Sequence, residues 1–183
     1  MATIMEKLTE ILTLPGWRDN VAEEFERVTI LDEGAADMDE KLDVCRHLHL
    51  LSTLCRRGRK VGFSDEGTRM NLSSEAGILA FERCIEICGR LKAEGCSEFK
   101  ITDQLSRSYY GIADLLLRAA KTCADDSLRR RLLEESLQHA QNLQQELQGA
   151  VQKGADAQTR DFAEQYVLIG EMLMEKITDS LKA

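Results

Sequence analysis

The feature that most constrains this fold is a pair of amphipathic segments, separated by a short polar break, within residues 101–151. Before the break, apolar and small residues recur at steps of three and four over residues 105–123, which is the period of one helix face. After residues 124–126, the same period continues over residues 128–147. Two long helices joined by two or three residues fold back on each other. The sequence therefore predicts an antiparallel helical hairpin.

Composition indicates an all-helical fold for the rest of the chain. The chain has 183 residues, which suits one domain with a full core. It contains a single proline, and alternating runs of valine, isoleucine and threonine are rare. Strands and their turns normally bring more of both. We therefore expect an all-α protein that forms one domain over residues 1–183.

Breaks in the periodicity divide the chain into about seven helices, of which five are long. Residues 1–34 hold short helices around the Pro15-Gly16 turn, and residues 36–181 form a core of long helices. Residues 58–72 lack periodicity and contain three glycines. We expect a mobile loop there.

Caps and glycines set the limits of the later helices. Ser73 or Ser74 caps a helix that Gly95 ends, and the hairpin begins near Glu98. The last helix extends over residues 156–180. Its apolar stripe consists of Phe162, Tyr166, Ile169, Leu173 and Ile177.

Two segments share a spacing of four and then three residues: Gly77-Phe81-Cys84 and Leu133-Leu137-Ala140. This spacing resembles the small–large–small pattern on the second helix of tetratricopeptide repeats. The Tyr-Gly pair at 110–111 is similar to the aromatic and glycine positions on the first helix of that family. The two segments lie 56 residues apart, so the resemblance over residues 36–181 is to helical-hairpin arrays in general.

The resemblance implies stacked antiparallel hairpins with a concave groove that binds a peptide or a helix of a partner protein. A closed helical bundle explains the same apolar stripes without a groove. The sequence leaves both architectures open.

Local motifs for catalysis or metal binding are missing. Cys84 and Cys88 stand one helical turn apart, whereas zinc sites usually take two ligands from a tight Cys-x-x-Cys loop. Glycine-rich phosphate loops are absent from the sequence, and no motif marks an activated nucleophile. We therefore expect a protein without enzymatic activity, metal or cofactor. An enzyme whose site is assembled across several helices would leave no local motif, so the sequence does not exclude one.

A basic cluster follows the turn of the predicted hairpin. Arg129, Arg130 and Arg131 open the second helix, where exposed positive charge opposes the helix dipole at a cost of about 0.3–1 kcal/mol each. Asp125 and Asp126 offset part of this cost, which explains the cluster without any ligand. Contact with an anion or an acidic partner is the functional alternative, and arginine is suited to it.

These considerations give a set of candidate partner-binding residues: Tyr110, Arg118, Arg129 and Arg130. Tyr109 and Tyr110 are adjacent and cannot share a helix face, so we expect one in the core and the other outside it. The basic residues have no interleaved aromatics, which argues against single-stranded nucleic acid.

Charge and hydropathy indicate a soluble protein of the cytoplasm or nucleus. The net charge of −8 lies entirely in residues 1–43, which contain 12 acidic and 4 basic residues. This negative field argues against nucleic-acid binding at that end. No apolar run is long enough to span a membrane or to form a signal peptide.

We therefore expect a protein–protein interaction module, an adapter or scaffold that binds a peptide or helix of a partner through a helical groove. The alternative is a helical bundle that binds a small molecule or lipid in its apolar core.

Overall fold

The computed structural model describes residues 41–42, 45–46, 48–49, 66–95, 98–152 and 156–182. All secondary structure in these residues is helical, and they include no strand. The all-α prediction is confirmed for this part of the chain. The short helices predicted in residues 1–34 lie outside it, so the count of about seven helices stays a prediction.

Four long helices are described: α1 (Glu66–Ala93), α2 (Glu98–Thr122), α3 (Asp126–Gln152) and α4 (Ala157–Lys182). They contain 28, 25, 27 and 26 residues. Each is therefore about 37–42 Å long. No helix within the described ranges has the length and apolar content needed to cross a membrane.

The first of these helices begins earlier than predicted. The sequence placed its cap at Ser73 or Ser74, whereas α1 begins at Glu66. Gly67 therefore lies inside the first turn of the helix. Residues 66–72 of the segment predicted as a loop are therefore helical, and residues 58–65 lie outside the described residues.

The other helix limits agree with the capping residues. α1 ends at Ala93, and Gly95 adopts a φ of 86°, the left-handed conformation that favours glycine after a helix. The backbone N–H of Leu128 donates to Oδ1 of Asp125 at 2.6 Å, which caps α3. At α4, the N–H and hydroxyl of Thr159 donate to the carboxylate of Asp156 at 2.9 and 2.7 Å. These hydrogen bonds lower the pKa of Asp156, and the bond from the Thr159 hydroxyl contributes most.

The described residues fall into two units that divide between Ile87 and Cys88, inside α1. In the first unit, the thiol of Cys84 donates to the carbonyl oxygen of Cys45 at 3.5 Å. The rings of His49 and Phe81 lie 5.4 Å apart. The first part of α1 therefore packs on the helical residues between 41 and 49. The prediction of one domain over the whole chain stays a prediction.

In the second unit, α2 and α3 pack against each other in opposite directions. The hydroxyl of Ser136 donates to the carbonyl oxygen of Ala113 at 2.7 Å. One turn further from the connection, the rings of Tyr109 and His139 lie 6.2 Å apart. Residues equally distant from the connection therefore face each other, as the hairpin predicted from residues 101–151 requires.

The last helix, α4, runs antiparallel to α3 and parallel to α2. Nε2 of Gln144 in α3 donates to the carbonyl oxygen of Val167 in α4 at 2.8 Å. Near the start of both α2 and α4, the rings of Phe99 and Phe162 meet edge to face at 5.8 Å. The three helices contact one another pairwise, most extensively between α2 and α3.

Two apolar clusters fill the space between α2, α3 and α4. Their buried residues are Ala113, Leu117, Ala120, Leu133, Ala140, Leu173 and Ile177 in one cluster, and Leu143, Leu147 and Ala163 in the other. The buried residues of α3 follow the predicted stripe from Ser136 to Leu147, whereas Leu128 is 40% exposed. In α2 the buried surface is much wider than predicted, because the consecutive residues Leu115, Leu116 and Leu117 are all buried.

The stripe predicted for α4 differs from the structure in its middle. Ile169 is 40% exposed, whereas Gly170 beside it is buried. A Cβ on Gly170 would lie 2.5 Å from Nε2 of Gln144, so the amide of Gln144 occupies the space that a side chain would need. α3 and α4 therefore make a close contact at a glycine, and the apolar residue next to it faces outward.

We predict opposite effects for alanine at two helical glycines. Gly170→Ala should lower stability, because the added Cβ displaces the amide of Gln144 from its hydrogen bond to Val167, and a buried donor left without a partner costs about 1–3 kcal/mol. Together with the overpacking, this cost exceeds the roughly 1 kcal/mol that alanine gains over glycine in a helix. Gly149→Ala should raise stability by about 0.5–1 kcal/mol, since no atom lies within 4 Å of the added Cβ. Urea unfolding followed by circular dichroism measures both. Equal stabilisation by the two substitutions would contradict the close approach at Gly170.

Candidate functional site

The connection between α2 and α3 carries a concentration of positive charge, which we call the basic tip. It consists of Arg118, Lys121, Arg129, Arg130 and Arg131, and all five are exposed. Residues 118–131 contain these five basic residues and two acidic ones, a net charge of +3 in a chain whose total is −8. Because the two helices are antiparallel, the end of α2 and the start of α3 form one surface.

Three of the arginines form ion pairs within their own helices. Nε of Arg118 lies 3.0 Å from a carboxylate oxygen of Asp114, and Nε of Arg130 lies 3.0 Å from Oε1 of Glu134. A guanidinium nitrogen of Arg129 lies 3.0 Å from Oδ1 of Asp126. The pairs of Arg129 and Arg130 are exposed on both sides, and pairs of this kind contribute only about 0.2–1 kcal/mol. A partner carboxylate can therefore replace Asp126 or Glu134 at little cost, whereas the carboxylate of Asp114 is only 13% exposed.

The remaining two cations of the tip, Lys121 and Arg131, make no ion pair within the described residues. Of the two acids between them in sequence, Asp125 caps α3 and Asp126 pairs with Arg129. The positive charge of the tip is thus only partly neutralised by the protein itself. This arrangement is suited to binding carboxylates or another anion.

Tyr110, the fourth predicted site residue, lies away from the three arginines. It stands eight residues before Arg118, about 12 Å along the axis of α2. It is half-buried and packs against both apolar clusters, and Tyr109 is half-buried as well. The structure therefore brings Arg118, Arg129 and Arg130 to one end of the hairpin and places Tyr110 beside the core. Its role in partner binding stays a prediction.

A half-buried imidazole lies further along the same hairpin. Nδ1 of His139 is buried and has no hydrogen-bond partner within the described residues. Burial lowers the pKa of His139, and the nearby Glu135 partly opposes this. Burial also raises the pKa of Tyr109, whose ring faces His139. Both groups are therefore kept neutral near pH 7.

Metal ligands are not gathered anywhere in the described part of the chain: no three His, Cys, Asp or Glu side chains there are placed to hold an ion. Cys84 and Cys88 are both buried, and neither is part of a disulfide.

One exposed surface was missed by the sequence analysis. Leu168, Ile169 and Met172 lie on the outer face of α4, although Ile169 was assigned to its core stripe. The signal that distinguishes them is charge: residues 161–175 contain four carboxylates and no basic residue. A helix face crowded with acids is rarely buried.

We compared the chain with models of known protein families, with curated proteins and with solved structures, and none of them matches it. The resemblance to tetratricopeptide arrays therefore stays a prediction.

We predict that His139 makes stability fall in mild acid. Its folded pKa lies below the ordinary value of 6.5, so the unfolded chain takes up a proton near pH 6.5 that the folded chain does not. Stability is therefore fully present above pH 6.5 and decreases as the pH falls toward the folded pKa. The free energy of unfolding in urea, measured at pH 7.5 and 5.5, should decrease more in the wild type than in His139→Gln. An identical decrease in both proteins would show that His139 binds a proton as readily in the folded chain as in the unfolded chain.

Proposed function

We propose that this protein is a non-enzymatic interaction module that binds an acidic segment of a partner protein at the basic tip. The observation that carries the proposal is the charge of the tip: five exposed cations meet where α2 ends and α3 begins, and two of them lack an ion pair within the described residues. The tip is locally costly, because three arginines stand near the positive end of the α3 dipole. A partner carboxylate at this position relieves that repulsion.

The chemistry of the tip favours a protein carboxylate over a nucleic acid. Within residues 118–131 there is no aromatic side chain on which a base could stack. The chain as a whole is acidic, which disfavours approach to a polyanion. A short acidic segment of a protein contacts the tip without meeting the rest of that negative charge.

We further propose that the helices form an array of stacked hairpins, similar in kind to tetratricopeptide arrays. The helix order in the second unit supports this proposal: α2 and α3 form a hairpin, and α4 lies parallel to α2 and contacts both helices. In an array of stacked hairpins, the first helix of the next hairpin lies where α4 lies here. In such an array the partner lies as a helix or extended segment in an apolar groove, and Tyr110, Arg118, Arg129 and Arg130 form its rim.

The experiment is affinity capture from a cell lysate with the full chain as bait. We expect a stoichiometric partner that binds the wild type and is lost from Arg129→Glu/Arg130→Glu/Arg131→Glu. This variant should fold, because acidic residues near the start of α3 agree with the helix dipole. The affinity of the purified partner should fall at least about tenfold, and it should weaken as salt is raised.

The matched control reverses three charges on another helix, with Arg160→Glu/Lys176→Glu/Lys182→Glu in α4. Both variants change the net charge by the same amount, so a general effect of charge would weaken the partner equally in both. A partner that both variants bind as tightly as the wild type would refute the tip as its binding surface.

A further inference from the structure

A small apolar patch is exposed on the outer face of α4, well away from the basic tip in sequence. Leu168 is 61% exposed, Met172 50% and Ile169 40%. They are three of the four large apolar side chains that are exposed in the described residues, and they lie within five consecutive positions. They are not part of the buried clusters between α2, α3 and α4. We call these three residues the α4 patch.

The spacing of the α4 patch fits contact with another helix. Leu168 and Met172 are four residues apart, so they stand one above the other on the helix surface. Ile169 lies beside them and widens the ridge toward the core edge of α4. A ridge of this kind packs into the groove of a second helix, with the side chains of that helix on either side of it.

Carboxylates flank the patch along the helix. Glu164, Glu171 and Glu175 are exposed and stand four residues before, three after and seven after Leu168. They therefore lie on the same side of the helix as Leu168. None of the three makes an ion pair within the described residues. Lys176, one turn beyond Met172, is the nearest basic residue in sequence.

We propose that the α4 patch is a docking site for a basic amphipathic helix of a partner protein. The apolar stripe of that helix covers Leu168, Ile169 and Met172, while lysine or arginine beside the stripe pairs with Glu164, Glu171 and Glu175. Charge complementarity of this kind sets the orientation and the rate of association. This surface goes beyond the basic tip and requires a ligand of the opposite charge.

Charge also disfavours the other occupants of such a patch. A second copy of the chain would place the same carboxylates against each other. The N-terminal residues 1–43 contain 12 acids and 4 bases, so their net charge has the same sign as the carboxylates that flank the α4 patch. A membrane rich in anionic lipid is repelled for the same reason. A basic amphipathic helix can both cover the α4 patch and pair with the carboxylates that flank it.

The test is selection from a displayed library of helical peptides with the full chain as bait. Each peptide has about 21 residues, or six turns. Two apolar positions in every heptad are fixed, and the other positions vary among Lys, Arg, Glu, Asp and Gln. Peptides that also bind Leu168→Gln/Met172→Gln are removed. We expect the remaining peptides to be enriched in Lys and Arg beside the apolar stripe.

Fluorescence anisotropy then measures the affinity of an enriched peptide. We expect Leu168→Gln/Met172→Gln to weaken it at least about tenfold. Glu171→Gln/Glu175→Gln should weaken it less and reduce its dependence on salt. The matched control, Leu128→Gln, alters the fourth exposed apolar residue and should leave the affinity unchanged. All substituted residues are exposed, so the melting temperature should not change.

Several results would overturn the proposal. One is enrichment of acidic peptides, and another is the absence of any enrichment that depends on Leu168 and Met172. Self-association of the wild type in sedimentation equilibrium that is lost in Leu168→Gln/Met172→Gln would show that a second copy covers the patch. Because the tip variants leave α4 unchanged, failure here is distinguishable from failure of the proposed function.

Discussion

The burial of α2 is the constraint on which the second unit depends. Along this helix the aliphatic residues from Ile101 to Leu117 are buried, and so are several polar ones: Thr102, Gln104, Ser106 and Ser108. A buried polar group is costly unless it finds a partner, and this favours a single register. The hydroxyl of Ser108 donates to the carbonyl oxygen of Gln104, and that of Ser136 reaches α2 at Ala113. The hydrogen bond from Ser136 sets how α3 lies along α2.

The two exposed surfaces follow from this packing. α2 is buried over most of its circumference, and its exposed basic residues next to the connection, Arg118 and Lys121, stand where α3 begins. The polar outer surface belongs largely to α3 and α4. On α4, the contact at Gly170 turns Ile169 outward beside Leu168 and Met172. The protein therefore presents a basic surface at one end of the hairpin and an acidic, apolar surface on the side of α4.

The hairpin and the tip could be predicted from sequence because each depends on local signals. A period of three and four identifies the helix faces, and aspartate before an apolar run identifies the start of α3. The basic residues within 118–131 are brought together by the antiparallel arrangement of α2 and α3 alone, so predicting the hairpin also predicts the tip.

Other features could not be predicted, because they depend on contacts between distant residues. Periodicity treats glycine as a gap in a stripe, whereas Gly170 is the point at which Gln144 approaches α4. For the same reason Ile169 was placed in the core. The width of the buried surface on α2 was also missed, since a pattern shows which face is most apolar but not how many faces are covered. Tyr110 was chosen for the rim, and only the packing shows it beside the core.

The most direct test of this account is native-state hydrogen exchange of the full chain, followed residue by residue by NMR. If the burial of α2 holds α3 and α4 in place, the amides of Ile112 to Leu117 should be the slowest to exchange. They should open only with global unfolding, at the free energy measured in urea. Amides on the outer face of α4, around Leu168 to Met172, should exchange through smaller openings. If the amides of α2 exchange through openings of lower free energy than those of α3 and α4, α2 is not the element on which the others depend.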